Sequence, residues 1–160
     1  MDYLFTPWRM QYIQNHESNG GCVFCDALKM ADGLENLIIH RAERGFVICN
    51  RFPYSTGHLM VVPFQHCARL EDLDEAVRHD LIDLAAATSR ILKEVYQPDA
   101  FNIGLNIGAA AGAGVADHLH FHIVPRWNGD ANFMTVLGGT RVLPEDLKMT
   151  YERVAAAWPK

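Results

Sequence analysis

His118-Leu119-His120-Phe121-His122-Ile123-Val124 is the stretch on which the rest of the chain turns. Side chains alternate faces along a strand, so Leu119, Phe121 and Ile123 point one way and His118, His120 and His122 the other. The apolar set faces a core, and three imidazoles share the opposite side. A solvated polar strand face is the bland alternative, but Thr, Lys or Glu serve better there. Near neutral pH imidazole attacks phosphorus or acyl carbon, transfers protons and binds metals. Just upstream, Gly108 to Gly114 is an Ala/Gly loop in which backbone approaches a ligand closely and offers N–H groups to an oxyanion. Loop and histidines together point to phosphorus chemistry on a small molecule.

Outward from this strand, the elements form an α+β pattern. Phe46 to Cys49 reads as a strand, Asn50 to Gly57 as its turn, and His58 to Val62 as a second strand stopped by Pro63. Asp74 is placed to cap a long helix whose buried face carries Leu81, Leu84, Ala85, Thr88, Ile91, Leu92 and Val95, with Pro98 at its end. Phe101 to Ile107 alternates as a strand, and Leu119 to Val124 is another, stopped by Pro125. A last helix is expected from Pro144, in its first turn, to about Ala157. Cys22 to Cys25 leads into a short helical stretch ending near Asp32-Gly33. The expectation is one domain over residues 1–160, an antiparallel sheet with helices on one side and residues 1–21 as an arm.

Composition narrows the classes of function. The chain has 160 residues, 49% apolar and 21% charged, which is enough to bury a core. No apolar run approaches a membrane span, and Met1-Asp2-Tyr3-Leu4 lacks the basic start of a secretory signal. A net charge of −5 without a Lys/Arg run argues against nucleic acid as partner. Four cysteines without an export signal read as cytoplasmic thiols or metal ligands before disulfides. Cys22-x-x-Cys25 has the gap that lets two thiolates reach one tetrahedral ion, whereas Cys49 and Cys67 read as small core or surface thiols.

The run His118 to Val124 resembles the histidine-triad superfamily of nucleotide hydrolases and transferases, and the likeness covers most of the chain. Gly57 to Pro63 is similar to that family's upstream strand, and Asn50-Arg51-Phe52-Pro53-Tyr54 to the turn before it. His118 to Trp127 with Gly129 to Met134 resembles a bacterial branch described as diadenosine tetraphosphate phosphorylases. Thr6-Pro7-Trp8-Arg9-Met10 and Gly138-Gly139-Thr140-Arg141-Val142 resemble that branch as well. The resemblance implies a sheet of about five antiparallel strands with a long helix and a C-terminal helix, and a homodimer.

Roles follow by the same likeness. His120 is the implied nucleophile on an α-phosphorus, forming a nucleotidyl-histidine intermediate. His118 holds that ring through its backbone carbonyl, and His122 donates to phosphate oxygens. Asn106 and the N–H groups around Gly112 to Gly114 stabilise transition-state charge, and Asn50 lies near the nucleoside. His58 either fixes ring orientation behind the triad or is a satisfied core residue. Trp127 packs near the phosphate chain or fills a subunit contact. The branch commonly carries a hydroxyl residue where Gly114 stands, so one phosphate contact is absent here.

Relatives of this kind also carry zinc on positions equivalent to Cys22, Cys25, His66 and His118. Four protein ligands make such a zinc structural; the alternative is a reduced thiol pair. The implied activity is cleavage of the phosphoanhydride of a dinucleoside polyphosphate such as diadenosine tetraphosphate, by phosphorolysis or hydrolysis. A nucleoside phosphoramidate hydrolase, a non-catalytic nucleotide-binding protein and a metal protein that uses the triad as ligands are the alternatives.

Overall fold

The structure, a computed structural model, describes residues 21–130 and 144–159. Most of the expected arm, the Thr6 to Met10 motif, the Gly138 to Val142 motif and the Ala131 to Met134 part of a third lie outside them. Helix α1 spans Val23–Leu28, strand β1 Ile38–Arg41, β2 Gly45–Cys49 and β3 Leu59–Pro63. Helix α2 follows over Glu75–Tyr96, then β4 at Ala100–Leu105, β5 at Phe121–Arg126 and α3 at Leu147–Ala157. The five strands form one sheet in the order β1-β2-β3-β5-β4, every pair antiparallel. This is the α+β class expected, with the long helix and the C-terminal helix in place. No helix among the described residues is long and apolar enough to cross a membrane.

Directly paired residues in an antiparallel sheet share a face. His122 is opposite Met60 and Gly104, and Met60 is opposite Ile48. Ile123, Leu59 and Cys49 line up on the other face, with Phe121, Val61 and Val47 two residues along. Helix α2 covers this second face. Gly45 marks the close approach: a Cβ there would meet Leu81 Cδ2 at 2.8 Å and the Val62 carbonyl oxygen at 2.7 Å. The helix buries Leu81, Leu84, Ala85, Thr88, Ile91 and Leu92 as its periodicity predicts, while Val95 is half-buried. Short α1 lies instead over the histidine face, where Phe24 packs on the rings of His118 and His120 at 5.3 and 5.1 Å. The helices are therefore not all on one side.

Boundaries differ from the expectation for local reasons. Asp74 stands at the N-cap of α2, yet its side chain makes no capping bond; its carbonyl accepts the Arg78 N–H. Gln97 ends α2 in a left-handed conformation one residue before Pro98. Helix α3 starts at Leu147 and not at Pro144, because the Asp146 carboxylate accepts the Met149 N–H at 2.8 Å and sets the cap there. Strand β5 begins two residues later than read, since the Leu119 N–H is taken by the Cys67 carbonyl at 2.7 Å. It continues through Pro125, whose carbonyl accepts the Ser55 hydroxyl. Strand β1, absent from the residue-by-residue reading, has four residues and a register shift between Ile38 and His40 that hides its alternation.

Candidate functional site

The end of β3, the entry to β5 and the turn before β3 bring the histidines together. His122 belongs to β5, whereas His118 and His120 precede it. Of the three rings, His120 and His122 meet edge to face at 4.9 Å, and His118 turns toward the cysteines. His118 is fully buried and His120 is 5% exposed.

Hydrogen bonds to groups with only one possible role set the proton positions. The His118 carbonyl can only accept, so His120 Nδ1 donates to it at 2.8 Å and the Nε2 lone pair stays available. The Tyr54 backbone N–H can only donate, and it reaches His58 Nδ1 at 3.0 Å. His58 therefore carries its proton on Nε2 and donates to His122 Nδ1 at 3.0 Å. The proton of His122 is then on Nε2, 3.5 Å from Asn106 Nδ2. Asn50 reinforces this chain: its Oδ1 accepts the Phe52 N–H at 2.9 Å, turning its amide nitrogen to His58 Nδ1 at 3.3 Å. Burial pushes the His120 imidazole below its ordinary pKa, partly offset by the bond to the His118 carbonyl, so the neutral ring is favoured.

Two cavities flank His122. One of about 420 Å³ is lined by Phe24, Asn50, Met60, Gly114, His120 and His122 among others. A second of about 960 Å³ takes in Gly104, Asn106, Tyr96, Trp127 and again His122. Tyr54 and His122 line both. Asn50 and Gly114 thus fall with His120, while Asn106 and Trp127 fall across the ridge. Gly112 lines neither: it is left-handed at φ 89°, and its N–H bonds the Ala109 carbonyl at 2.9 Å. The Ala113 N–H is likewise directed to Gly108, so Gly114 is the glycine of that loop that meets the smaller cavity. Tyr54 and Phe24 were not legible as site residues. Tyr54 acts through its backbone and stacks on His122 at 5.6 Å, and Phe24 lies between Cys22 and Cys25, where the sequence pattern does not single it out.

Cys22, Cys25, His66 and His118 converge, their four donor atoms lying within 4.8 Å of one another. Cys22 Sγ is 3.2 Å from His118 Nδ1, Cys25 Sγ 3.4 Å from His66 Nδ1 and 3.7 Å from His118 Nδ1. Around a tetrahedral zinc such edges are roughly 3.3–3.8 Å. The Pro63 carbonyl accepts from His118 Nε2 at 3.0 Å, which leaves Nδ1 facing the sulfurs as a ligand needs. Burial raises the Cys22 thiol, but the hydrogen bond with His118 and the Cys25 backbone outweigh it and bring it down to about 6. This donor set fits a borderline divalent ion. Burial and the neighbouring Cys22 raise the Cys25 thiol; outside the cluster, burial pushes Cys49 up to about 12 and also raises Cys67.

Comparison with known proteins agrees with this geometry. The sequence model described as HIT domain matches residues 33–129, which include the whole sheet, His58, His66 and the three clustered histidines. The chain is 38% identical to a Mycobacterium tuberculosis protein named AP-4-A phosphorylase, over 98% of this chain and 84% of that one. It is 31% identical to the Schizosaccharomyces pombe asymmetrical bis(5'-nucleosyl)-tetraphosphatase, over 58% of this chain and 50% of that one. The crystal structure of a zinc-bound histidine triad family protein from Mycobacterium smegmatis superposes with a TM-score of 0.68 at 29% identity, covering 86% of this chain and 92% of that one.

Proposed function

The chain belongs to the HIT domain family, and from that membership we propose that it is an enzyme cleaving the phosphoanhydride of dinucleoside polyphosphates, diadenosine tetraphosphate among them. The observation that carries this reading is the bond from His120 Nδ1 to the His118 carbonyl, which keeps a neutral Nε2 lone pair at a cavity of nucleoside size. In the proposed reaction Nε2 attacks the α-phosphorus. An N–P bond forms as the bridging P–O bond breaks, and a nucleoside polyphosphate leaves. His122 Nε2–H and the Asn106 amide donate to the charge gathering on phosphate oxygens. Asn50 and Gly114 sit on the nucleoside side, Asn50 also steadying His58, and His58 holds the His122 ring. Water or inorganic phosphate then attacks the phosphorus and breaks the N–P bond.

The relative named as a phosphorylase supports phosphate as acceptor, and the tetraphosphatase supports water. Gly114 lacks the side-chain hydroxyl that the phosphorylase branch commonly places there. ADP released only when phosphate is added identifies phosphorolysis; AMP with ATP, without added phosphate, identifies hydrolysis. The decisive test is His120→Ala, expected to lower kcat by roughly 10³-fold or more while AMP affinity changes little. Unchanged turnover in that variant rejects the reading.

We also propose that Cys22, Cys25, His66 and His118 hold a zinc ion. With four protein ligands it supplies no open coordination place and serves to cross-link. Its support is the spacing of the four donors and the zinc-bound neighbour. A homodimer is proposed from the family, with β4, one of the two edge strands of the sheet, exposing Ile103 at 51%.

A further inference from the structure

Strand β3 meets β5 at Leu59 with Ile123, Met60 with His122 and Val61 with Phe121. Carried two residues further, that register would set Gly57 opposite Pro125. The ladder stops short of it: Gly57 is left-handed at φ 74° and turns the chain away, and Pro125 has no N–H to give. The Pro125 carbonyl is nevertheless paired, because the Ser55 hydroxyl donates to it at 2.8 Å. A side chain thus supplies the rung that the main chain cannot.

The place of that rung gives it a bearing on the histidines. Ser55 follows Tyr54, whose N–H makes His58 Nδ1 an acceptor, and the Ser55 carbonyl accepts the His58 N–H at 3.2 Å. Pro125 shares β5 with His122, whose Nδ1 takes the His58 Nε2 proton. On the β2 side His58 is held by its carbonyl, which accepts the Asn50 N–H at 3.0 Å. On the β5 side, past the last rung, the Ser55 hydroxyl ties the turn to the strand. Thr56 next door provides the contrast, since its buried hydroxyl has no hydrogen-bond partner among the described residues.

We infer that Ser55 is a positioning residue for the proposed reaction: by anchoring the turn to β5, its hydroxyl keeps the His58 proton on Nε2. Without the anchor the Tyr54 N–H swings off Nδ1, the proton settles there, and Nε2 turns from donor to acceptor. His122 then places its own proton on Nδ1 and presents a lone pair to the phosphate oxygens in place of a donor. The inference rests on the proposed chemistry for the use of that proton, but its first readout requires no turnover.

That readout is the pair of His58 ring-nitrogen shifts, measured by NMR on the ¹⁵N-labelled full chain at one slightly alkaline pH. The unaltered protein is expected to show His58 protonated on Nε2, and Ser55→Ala to move both shifts toward the Nδ1–H form. In the same variant kcat on diadenosine tetraphosphate should fall about tenfold, with KM and AMP affinity within about twofold. Ser55→Thr keeps a hydroxyl and should recover both the shifts and kcat. Thr56→Val, which removes the neighbouring hydroxyl at constant shape, should change neither. Unmoved His58 shifts in Ser55→Ala overturn the inference, and so do moved shifts with full kcat. Equal losses in Ser55→Thr or in Thr56→Val overturn it as well, because packing of the turn then accounts for them. Weakened AMP binding at unchanged kcat would make Ser55 a ligand contact and overturns it too. Turnover that survives His120→Ala rejects the proposed reaction instead, and leaves the Ser55 effect on the nitrogen shifts as it was.

Discussion

Around Cys22, Cys25, His66 and His118, four donor atoms crowd within 4.8 Å of one another. Around His58, His120 and His122, each ring instead has a nitrogen tied to a partner of fixed role: His58 is held at both nitrogens, by the Tyr54 N–H and by His122, while His120 is tied through Nδ1 and keeps its Nε2 lone pair. The first is a donor set that a cation would complete. The second has its protons in the order that the proposed attack on a substrate would need. Identical side chains serve both, so it is the second partner of each imidazole that separates a ligand from a reactive group. His118 joins the two: its ring belongs to the first and its carbonyl to the second. Holding that ring also holds the peptide that orients His120.

The largest effect expected from breaking this contrast is on the cysteine side. Cys22→Ser should lower zinc from one per chain to near zero by elemental analysis. With it goes roughly 3–5 kcal/mol of stability, a fall in Tm of about 10 °C. A preparation free of zinc that melts with the zinc-loaded protein would defeat the assignment of that cluster. Next comes His58→Phe. It takes away the donor to His122, so kcat should drop about 10²-fold, while zinc content stays at the unaltered level. His58→Gln, whose amide can still donate, should regain part of the loss; no regain would mean that His58 acts through packing alone.

The smallest effect belongs to a histidine outside both groups, and it sets the baseline. His40 stacks on Trp158 at 4.9 Å, and burial holds its pKa below the usual value. The unfolded chain therefore takes up this proton first as pH falls below about 6.5, and native stability declines with it. His40→Gln should flatten that part of the stability curve by a few tenths of a kcal/mol, read as a smaller shift in denaturant midpoint. A steeper dependence in the variant would contradict the sign.

Much was legible in advance because it depends on short-range regularity. The period of Leu81 to Leu92 predicts α2, the alternation around His120 predicts a strand, and Cys22-x-x-Cys25 predicts a shared ligand. Strand β1 was not legible, since a bulge breaks its alternation over four residues. The start of α3 was misplaced because Pro144 suits a first turn, while the Asp146 cap set the boundary. The backbone of Tyr54 was out of reach for a different reason: a main-chain N–H has no sequence signature, yet it decides which nitrogen of His58 carries the proton.

What the amino-acid order determined by itself is which residues are capable of the chemistry and which stretches bury an apolar face, because both follow from residue type and local period. Tertiary structure alone decided where the protons sit, that four donors separated by up to 96 positions meet, and that two cavities share the wall at His122. Those properties arise from distance and direction between strands, and no spacing along the chain encodes either.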